Sequence, residues 1–263
     1  MEVIICPNEQ RVGQIGAAKV AQIANRVGPE VVLGVATGSS PLATYAELAQ
    51  LVRDGLIDLS RASAFALDEY VGLAEDHPQS YHDTIRRTVA VPLGLDPARV
   101  HVPDGSVEGL ATAGARYEQA IREVGGVDVQ ILGVGSNGHI GFNEPTSSLS
   151  SRTRLKTLAP ATRADNARFF PSIDDIPHHC MTQGLGTIMD ARSIVLVATG
   201  RHKAAAIAAI IEGPVTAMWP GSILQMHQHA TVVVDEDAAS GLKLIDYYKQ
   251  VYASLPDWQR LAL

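Results

Sequence analysis

Short apolar runs alternate along the chain with longer stretches in which apolar residues recur every three or four positions. The runs are typical of buried β-strands, and the stretches are typical of amphipathic helices. Strands are predicted at residues 3–6, 31–36, 62–67, 127–133, 193–199 and 231–235, and helices near 9–27, 41–54, 106–124, 201–212 and 238–253. This alternation predicts an α/β fold with a doubly wound, mostly parallel, Rossmann-like sheet and helices on both faces.

Composition narrows the class of protein. The 263 residues are 46% apolar and 19% charged, and neither a repeat nor a linker divides them, so we expect one domain over residues 1–263. The formal net charge of -7 argues against nucleic acid or an anionic membrane as the main partner. Cys6 and Cys180 form no C-x-x-C pair, and the first ten residues lack a basic leader, so a cytoplasmic location is expected.

The segment from Ile131 to Pro145 carries the strongest candidate chemistry. It follows a predicted strand and places His139 and Glu144 on a glycine-rich turn, where sheets of this kind bind ligands. Its glycines also satisfy G-x-G-x-x-G, the dinucleotide-binding pattern. However, the turn continues into glycine, asparagine and proline instead of a helix, and no acid follows about 20 positions later. Dinucleotide binding is therefore rejected.

The turn after the second predicted strand is a candidate binding loop. Thr37, Gly38, Ser39 and Ser40 precede a helix for which either serine suits the N-cap and Pro41 suits the first position. The hydroxyls, the free backbone N–H groups and the positive end of the helix dipole together suit a phosphate or a sugar hydroxyl. Ordinary capping without a ligand is the alternative.

Charged residues follow two further strands. Asp68 and Glu69 are adjacent, so their side chains diverge, and we expect one acid to face the ligand crevice as a general base while the other is structural. Arg201 and Lys203 begin the helix near 201–212, where a cation opposes the helix dipole unless an anion compensates it. Either cation is thus a candidate phosphate ligand. For the two acids, the alternative is a helix cap or a surface ion pair. For Lys203, the alternative is a solvated side chain on the first turn of the helix.

Two pairs of histidines are candidate metal ligands. His178 lies beside His179, and His227 lies two residues before His229. Apart from Cys180, which directly follows His179, no acid or thiol stands at a usual zinc spacing, and adjacent residues rarely bind one metal. No metal site is predicted.

Four turns in this order, ATGSSP, ALDEYVGL, LGVGSNGHIGFNEP and ATGRHKA, resemble those of the glucosamine-6-phosphate deaminase family. The likeness continues through residues 150–170 and 182–191 and covers nearly the whole chain. It implies conversion of glucosamine 6-phosphate and water to fructose 6-phosphate and ammonia. This is an aldose–ketose isomerisation coupled to deamination in amino-sugar catabolism, without a metal or other cofactor.

The resemblance also implies a role for each matching residue. Asp68 matches the base that moves the C2 proton to C1 through an enolamine. His139 matches the group that opens the pyranose ring, and Glu144 matches the acid that holds and polarises its imidazole. Other positions match a substrate loop and two cations that hold the phosphate. These binding residues are Thr37, Gly38, Ser39, Ser40, Arg168 and Lys203.

Asn137 is a departure from many family members, which carry an aspartate in a trio with the histidine and the glutamate. Asparagine can orient His139 through a hydrogen bond but supplies no negative charge. We therefore count Asn137 among the catalytic residues and expect Asn137→Asp to move the neutral or alkaline limb of the pH–rate profile upward.

Regulation is a further expectation from the resemblance. Allosteric relatives bind N-acetylglucosamine 6-phosphate between the subunits of a hexamer, so a homo-oligomer is expected, with Ser147, Arg154 and Lys156 as candidate allosteric residues. By an approximate alignment, Ser193 and Lys249 stand where those relatives carry a glutamate and a tyrosine, so the switch is either altered or absent. The alternative is a basic loop on the substrate lid, which is expected at about residues 145–185.

Two other functions remain open. A hydrolase that resembles 6-phosphogluconolactonase shares the fold and the phosphate sites, but the DEY and GFNEP segments weigh against it. A non-catalytic sugar-phosphate sensor would need a DNA-binding segment, and a first strand at Val3 leaves no room for a helix-turn-helix before it. No residue is assigned to the sugar C4 hydroxyl, so both the glucosamine and the galactosamine epimer remain candidate substrates.

Overall fold

The computed structural model describes residues 1–167 and 170–261, and in this part of the chain ten strands form two sheets. The strands are β1 (Glu2–Cys6), β2 (Val32–Val35), β3 (Ser63–Ala66), β4 (Asp68–Tyr70), β5 (Val100–His101), β6 (Val129–Leu132), β7 (Arg154–Thr157), β8 (His179–Thr182), β9 (Ser193–Ala198) and β10 (Ala230–Asp235). Seven of these described strands form one sheet in the order β1-β10-β9-β6-β2-β3-β5, and every neighbouring pair in it is parallel. The predicted parallel sheet is confirmed, although β5 at its edge was not predicted.

Helices follow most of these strands. They are α1 (Glu9–Val27), α2 (Leu42–Arg53), α3 (Tyr81–Ile85), α4 (Val91–Leu93), α5 (Leu110–Glu123), α6 (Pro160–Asn166), α7 (Leu185–Met189), α8 (Ala204–Glu212), α9 (Glu236–Ala239) and α10 (Ile245–Ala253). Among the described residues, no helix is both long and apolar enough to cross a membrane.

The predicted helix over residues 238–253 is wrong as one continuous element, because the chain breaks between α9 and α10. The break contains Gly241, which packs closely against the start of α8. A Cβ at this position would lie only 2.9 Å from the carbonyl oxygen of Ala204. Glycine is also a poor helix former, so the sequence favours an interruption where the backbone needs this close approach.

The main sheet is covered on both faces, as expected. Along β2, Val32 packs into a core with residues of α5 and α8, whereas Leu33 packs into a second core with residues of α1 and α2. Consecutive strand residues face opposite sides of a sheet, so a continuous apolar run fills both cores. The fold class is therefore confirmed as a doubly wound α/β sheet.

A helical segment over residues 81–93 was not predicted. It consists of α3, a π-helical turn over Arg86–Ala90, and α4. Pro92 and the polar pair of arginines in this segment are typical of an irregular solvated surface, but Ile85 and Val89 are fully buried on the α2 side of the sheet. The burial of these two side chains overrides the weak local signal.

The second sheet was also not predicted. In it β4 and β7 flank β8 with antiparallel pairing, and Asp68 lies opposite Thr182. Its strands are three or four residues long. In β7 the charged residues Arg154 and Lys156 are on the more buried side and Leu155 is exposed, which is the reverse of the usual pattern. A search for apolar alternation therefore misses this sheet.

Candidate active site

Turns at the carboxyl ends of β2, β3, β6 and β9 enclose a cavity of about 490 Å³. This is the edge at which doubly wound sheets bind ligands, and the volume suits a small molecule. The four turns proposed from the sequence all contribute residues to the wall of the cavity, and so does α6. Among the predicted site residues, those that line the cavity are Thr37, Gly38, Ser39, Ser40, Asp68, His139 and Lys203.

The turn from Thr37 to Ser40 forms one wall. The predicted serine cap is wrong, because the backbone of Pro41 is already helical and no side chain caps α2. Instead, the N–H of Leu42 donates to the carbonyl of Ser39 at 3.3 Å. The two serines border the cavity near the amino end of α2, where the helix dipole favours an anion.

Asp68 is a buried acid in the wall of the cavity. It directly follows the last core residue of the third strand region and is only 5% exposed. Burial, followed by the charge of Glu69, raises the pKa of Asp68 from 3.8 to about 8. At neutral pH the protonated acid is then the larger population, but the ionised fraction is a stronger proton acceptor than an ordinary carboxylate, which suits a general base.

Glu69 has a different environment. Its carboxylate accepts hydrogen bonds from the backbone N–H groups of Tyr70 at 2.7 Å, Tyr81 at 2.9 Å and His82 at 2.8 Å. These bonds attach the start of α3 to β4. The two acids therefore diverge as expected, with Asp68 in the cavity and Glu69 structural. Tyr81, which the sequence analysis missed, also lines the cavity as a result.

The glycine-rich turn after β6 places His139 in the cavity. Among the described residues, no helix lies between β6 and β7, which agrees with the rejection of a dinucleotide-binding turn. The imidazole packs directly over Gly135, and a Cβ at that position would overlap the ring. Glycine is therefore needed at this position so that the histidine ring can lie against the backbone, and not so that a pyrophosphate can.

His139 faces the buried carboxylate of Glu144. The Nδ1 atom of His139 lies 3.6 Å from Oε2 of Glu144, and the two side chains are 19% and 9% exposed. Asn137 donates from Nδ2 to the same Oε2 at 2.8 Å, and its Oδ1 accepts the backbone N–H of His139 at 3.2 Å. Asn137 therefore contacts the carboxylate and the main chain of His139, not its ring.

Thr162, on α6, completes the surroundings of Glu144. Its hydroxyl donates to Oε1 of Glu144, and its side chain lines the cavity. Burial would raise the pKa of Glu144, but the facing imidazole of His139, the hydroxyl of Thr162 and the amide of Asn137 together lower it to about 2. Glu144 is thus a carboxylate at neutral pH. No pattern in the sequence pointed to Thr162.

The two candidate cations after β9 are placed differently. Lys203 lines the cavity, whereas Arg201 is exposed outside its wall. His202 lies between them and also lines the cavity, although no pattern in the sequence pointed to it. Arg168, the other expected phosphate ligand, lies outside the described residues.

The candidate allosteric residues lie away from this cavity wall. Arg154 and Lys156 are on the same face of β7, and Arg154 donates to Oδ1 of Asn143 at 2.9 Å. Burial lowers the pKa of the Arg154 guanidinium. Ser147 is buried, and within the described residues its hydroxyl oxygen has no hydrogen-bond partner. Arg154 and Ser147 are thus partly removed from solvent.

The pair of His227 and His229 has structural surroundings. His227 lies within hydrogen-bond distance of the carbonyl of Ala191 through Nε2, at 2.8 Å, and accepts the backbone N–H of His229 at its Nδ1 atom. Across residues 1–167 and 170–261, no three His, Cys, Asp or Glu side chains are grouped as a metal site.

Comparison with known sequences identifies close relatives. The family described as "Glucosamine-6-phosphate isomerases/6-phosphogluconolactonase" matches residues 7–233. A glucosamine-6-phosphate deaminase of Cutibacterium acnes is 59% identical over 249 residues, which cover 95% of each chain. Another, from an Arthrobacter species, is 54% identical over 261 residues, which cover 99% of this chain and 100% of that one.

Solved structures share the fold. A protein described as a monomeric glucosamine-6-phosphate deaminase superimposes with a TM-score of 0.88 at 38% identity, over 92% of this chain and 100% of that chain. A 6-phosphogluconolactonase from Trypanosoma cruzi superimposes with a TM-score of 0.72 at 18% identity, over 92% and 97% of the two chains. The second likeness extends to the fold alone.

Proposed function

The chain belongs to the glucosamine-6-phosphate isomerase/6-phosphogluconolactonase family, and we propose that it is a glucosamine-6-phosphate deaminase. Relatives that are 54% and 59% identical over nearly the whole chain bear that name. Within this chain, the observation that carries the proposal is Asp68, a buried carboxylate in the cavity with a pKa of about 8. A deaminase must remove a proton from carbon, and this acid is suited to do so.

The reaction converts glucosamine 6-phosphate and water to fructose 6-phosphate and ammonia. Asp68 takes the proton from C2 of the open-chain sugar while the C1 oxygen gains a proton from the substrate's own ammonium group, which gives an enolamine with a C1–C2 double bond. Asp68 then returns its proton to C1, which leaves a protonated imine at C2. Water hydrolyses the resulting C2 imine, which releases ammonia and leaves the ketone. Because water is consumed and a C–N bond is broken, the enzyme is a hydrolase acting on that bond, with an isomerisation inside the reaction.

The pyranose ring opens before the C2 proton is removed. The imidazole of His139 moves a proton from the C1 hydroxyl to the ring oxygen, and the carboxylate of Glu144 stabilises the imidazolium formed on the way. Asn137 assists by holding Glu144 at 2.8 Å. Since Glu144 has a pKa of about 2, it remains ionised throughout this exchange.

The substrate phosphate is held at the opposite end of the sugar by the turn after β2 and by Lys203. Thr37, Gly38, Ser39 and the amino end of α2 offer hydroxyl and N–H donors, and Lys203 offers a positive charge. Arg168 is proposed as a second cation on the family resemblance. Binding at the remote phosphate fixes C1 and C2 against Asp68, which lowers the barrier through positioning.

The alternative functions have weaker support. A 6-phosphogluconolactonase-like hydrolase attacks a lactone carbonyl and needs no base at C2, so a buried acid of raised pKa in the cavity has no evident role in it. A sensor that only binds sugar phosphate needs neither that acid nor a Glu144 carboxylate facing the imidazole of His139. Galactosamine 6-phosphate remains a second candidate substrate.

Several finer properties are proposed on the family resemblance. Residues 1–263 are one domain in which about 145–185 act as a lid, and the enzyme acts in the cytoplasm on its phosphorylated sugar. Arg154, Lys156 and Ser147 bind N-acetylglucosamine 6-phosphate as an activator, which requires a homo-oligomer. A relative described as monomeric makes the single chain the competing state.

The test is a product assay on the purified protein in metal-free buffer. Glucosamine 6-phosphate, galactosamine 6-phosphate and 6-phosphogluconolactone are supplied separately, with an enzyme-free control for spontaneous lactone hydrolysis. We expect ammonium and fructose 6-phosphate in equal amounts from glucosamine 6-phosphate. Enzymatic lactone hydrolysis with no ammonium from either amino sugar would overturn the proposal.

A further inference from the structure

Thr162 is buried and hydrogen-bonded to a carboxylate, although it lies on a short helix at the surface. It belongs to α6, a seven-residue helix next to the cavity, yet it is only 4% exposed. The family resemblance assigned no role to this residue. Its hydroxyl donates to Oε1 of Glu144, a residue 18 positions earlier in the chain.

This hydrogen bond occupies the oxygen of Glu144 that does not face the imidazole. The other oxygen, Oε2, accepts the amide of Asn137 at 2.8 Å and lies 3.6 Å from Nδ1 of His139. One donor on each oxygen fixes both the position and the rotation of the carboxylate plane. The Nδ1 atom of His139 is buried and has no hydrogen-bond partner among the described residues, and the carboxylate oxygen that faces it is Oε2 of Glu144 at 3.6 Å. The setting of the carboxylate plane therefore influences which nitrogen of the ring carries the proton.

The same contact connects the carboxylate to the helix that borders the substrate. Asn166 also lines the cavity from α6, and its side chain donates to the backbone carbonyl of Thr162 at 2.9 Å. The hydroxyl of Thr162 further helps to keep the pKa of Glu144 low. The position of α6 and the ionised state of Glu144 are therefore linked through one side chain.

We propose that Thr162 is a positioning residue that fixes the Glu144 carboxylate against Nδ1 of His139, so that the imidazole is prepared for ring opening only while α6 is docked on the cavity. The inference rests on the proposed function for its effect on catalysis. Its effect on the protonation of His139 does not depend on any substrate.

Thr162→Ser and Thr162→Ala are the central pair of variants, because they differ by one oxygen atom. Thr162→Val, which keeps the shape of threonine, is the third variant. Thr157→Val is the matched control, since Thr157 is exposed on β7 just before the same segment. Each protein is assayed with glucosamine 6-phosphate and studied without substrate by ¹⁵N NMR of the histidine rings, with the His139 signal assigned through His139→Gln.

We expect the alanine and valine variants to lose about 10-fold in kcat with KM changed less than about threefold, as for loss of one hydrogen bond to a charged group. The serine variant and Thr157→Val should stay within about twofold of the parent protein. In the parent, neutral His139 should carry its proton on Nδ1. In the alanine and valine variants, part of that population should move to Nε2, the site that free imidazole side chains favour.

Two results would overturn the proposal, and a third would refute only the deaminase assignment. An unchanged His139 tautomer in the alanine and valine variants overturns the proposal, even if kcat falls, because the role of Thr162 is then only packing. A serine variant as defective as the alanine variant overturns it as well. Absence of ammonium release from the parent protein would refute the deaminase assignment, whereas the NMR comparison would still decide the link between Thr162 and His139.

Discussion

Asp68 and Glu69 are neighbours in β4, but their carboxylates belong to different parts of the molecule. Asp68 lies in the cavity wall, whereas Glu69 accepts backbone hydrogen bonds from Tyr70, Tyr81 and His82. Strand geometry explains the difference, since consecutive side chains point to opposite faces. Glu69 therefore holds the backbone next to the cavity, while the side chain of Asp68 contributes to the cavity wall.

Replacement of Glu69 should destabilise the fold. Glu69→Ala leaves the N–H groups of Tyr81 and His82 without their acceptor, and we expect a loss of about 2–4 kcal/mol in the free energy of unfolding. Urea denaturation measures this value. Glu123→Ala, an exposed substitution at the end of α5, is the control and should stay within about 0.5 kcal/mol. Equal stability of the two variants would contradict the structural role of Glu69.

Asp68 should reduce the stability of the protein in a pH-dependent way. The pKa of Asp68 is raised from 3.8 to about 8, so the folded state disfavours its charge. The resulting loss in the free energy of unfolding is absent below about pH 4, grows as pH rises to about 8 and is constant above that. Asp68→Asn should therefore raise Tm by at least about 2–4 °C at pH 9 and by little at pH 4. A gain that does not depend on pH would contradict the raised pKa.

Asn137→Asp should change the pH dependence of turnover. The introduced carboxylate would stand beside Oε2 of Glu144, where the Asn137 amide now donates at 2.8 Å. The added negative charge favours the protonated imidazole of His139, so the limb of the kcat profile that His139 controls should move to higher pH. Rates from pH 5 to 10 test this prediction. An unchanged profile would remove Asn137 from the catalytic group.

The cations after β9 offer a paired test of phosphate binding. Lys203 lines the cavity and Arg201 does not. Lys203→Met should raise KM for glucosamine 6-phosphate by about 10- to 100-fold, as expected for the loss of a charged phosphate contact. Arg201→Met should change KM by less than about threefold. Steady-state kinetics of the two variants measure both effects, and the reverse ranking would place the phosphate elsewhere.

Most of the main sheet and the turns that line the cavity could be predicted from the sequence because their signals are local. Six of the seven strands described in the parallel sheet are separate apolar runs, and the residues that carry Asp68 or His139 follow their strand directly. The exception is β5, which has only two residues, Val100 and His101, and was not predicted. In a parallel sheet these turns meet at one edge. Knowing the order of strands and turns was therefore enough to bring the acid, the histidine and the binding loop together.

The rest of the site depends on contacts that no local pattern encodes. Tyr81 reaches the cavity from α3. This helical segment was not predicted because it contains Pro92 and two adjacent arginines, which are typical of an irregular surface. Thr162 meets Glu144 only because the chain between them folds back, through a strand whose charged residues lie on its more buried side. Amphipathic patterning gives the wrong orientation for such a strand, so these residues were missed.

The central claim is that Asp68 is the base that removes the C2 proton. The most direct measurement is the rate of ammonium release from glucosamine 6-phosphate by Asp68→Asn, with Asp76→Asn as a control because Asp76 is an exposed acid in the loop before α3. We predict a loss of about 10²–10⁴-fold for Asp68→Asn with substrate binding retained, and wild-type rates for the control. Release by Asp68→Asn at more than about a tenth of the wild-type rate would contradict the assignment.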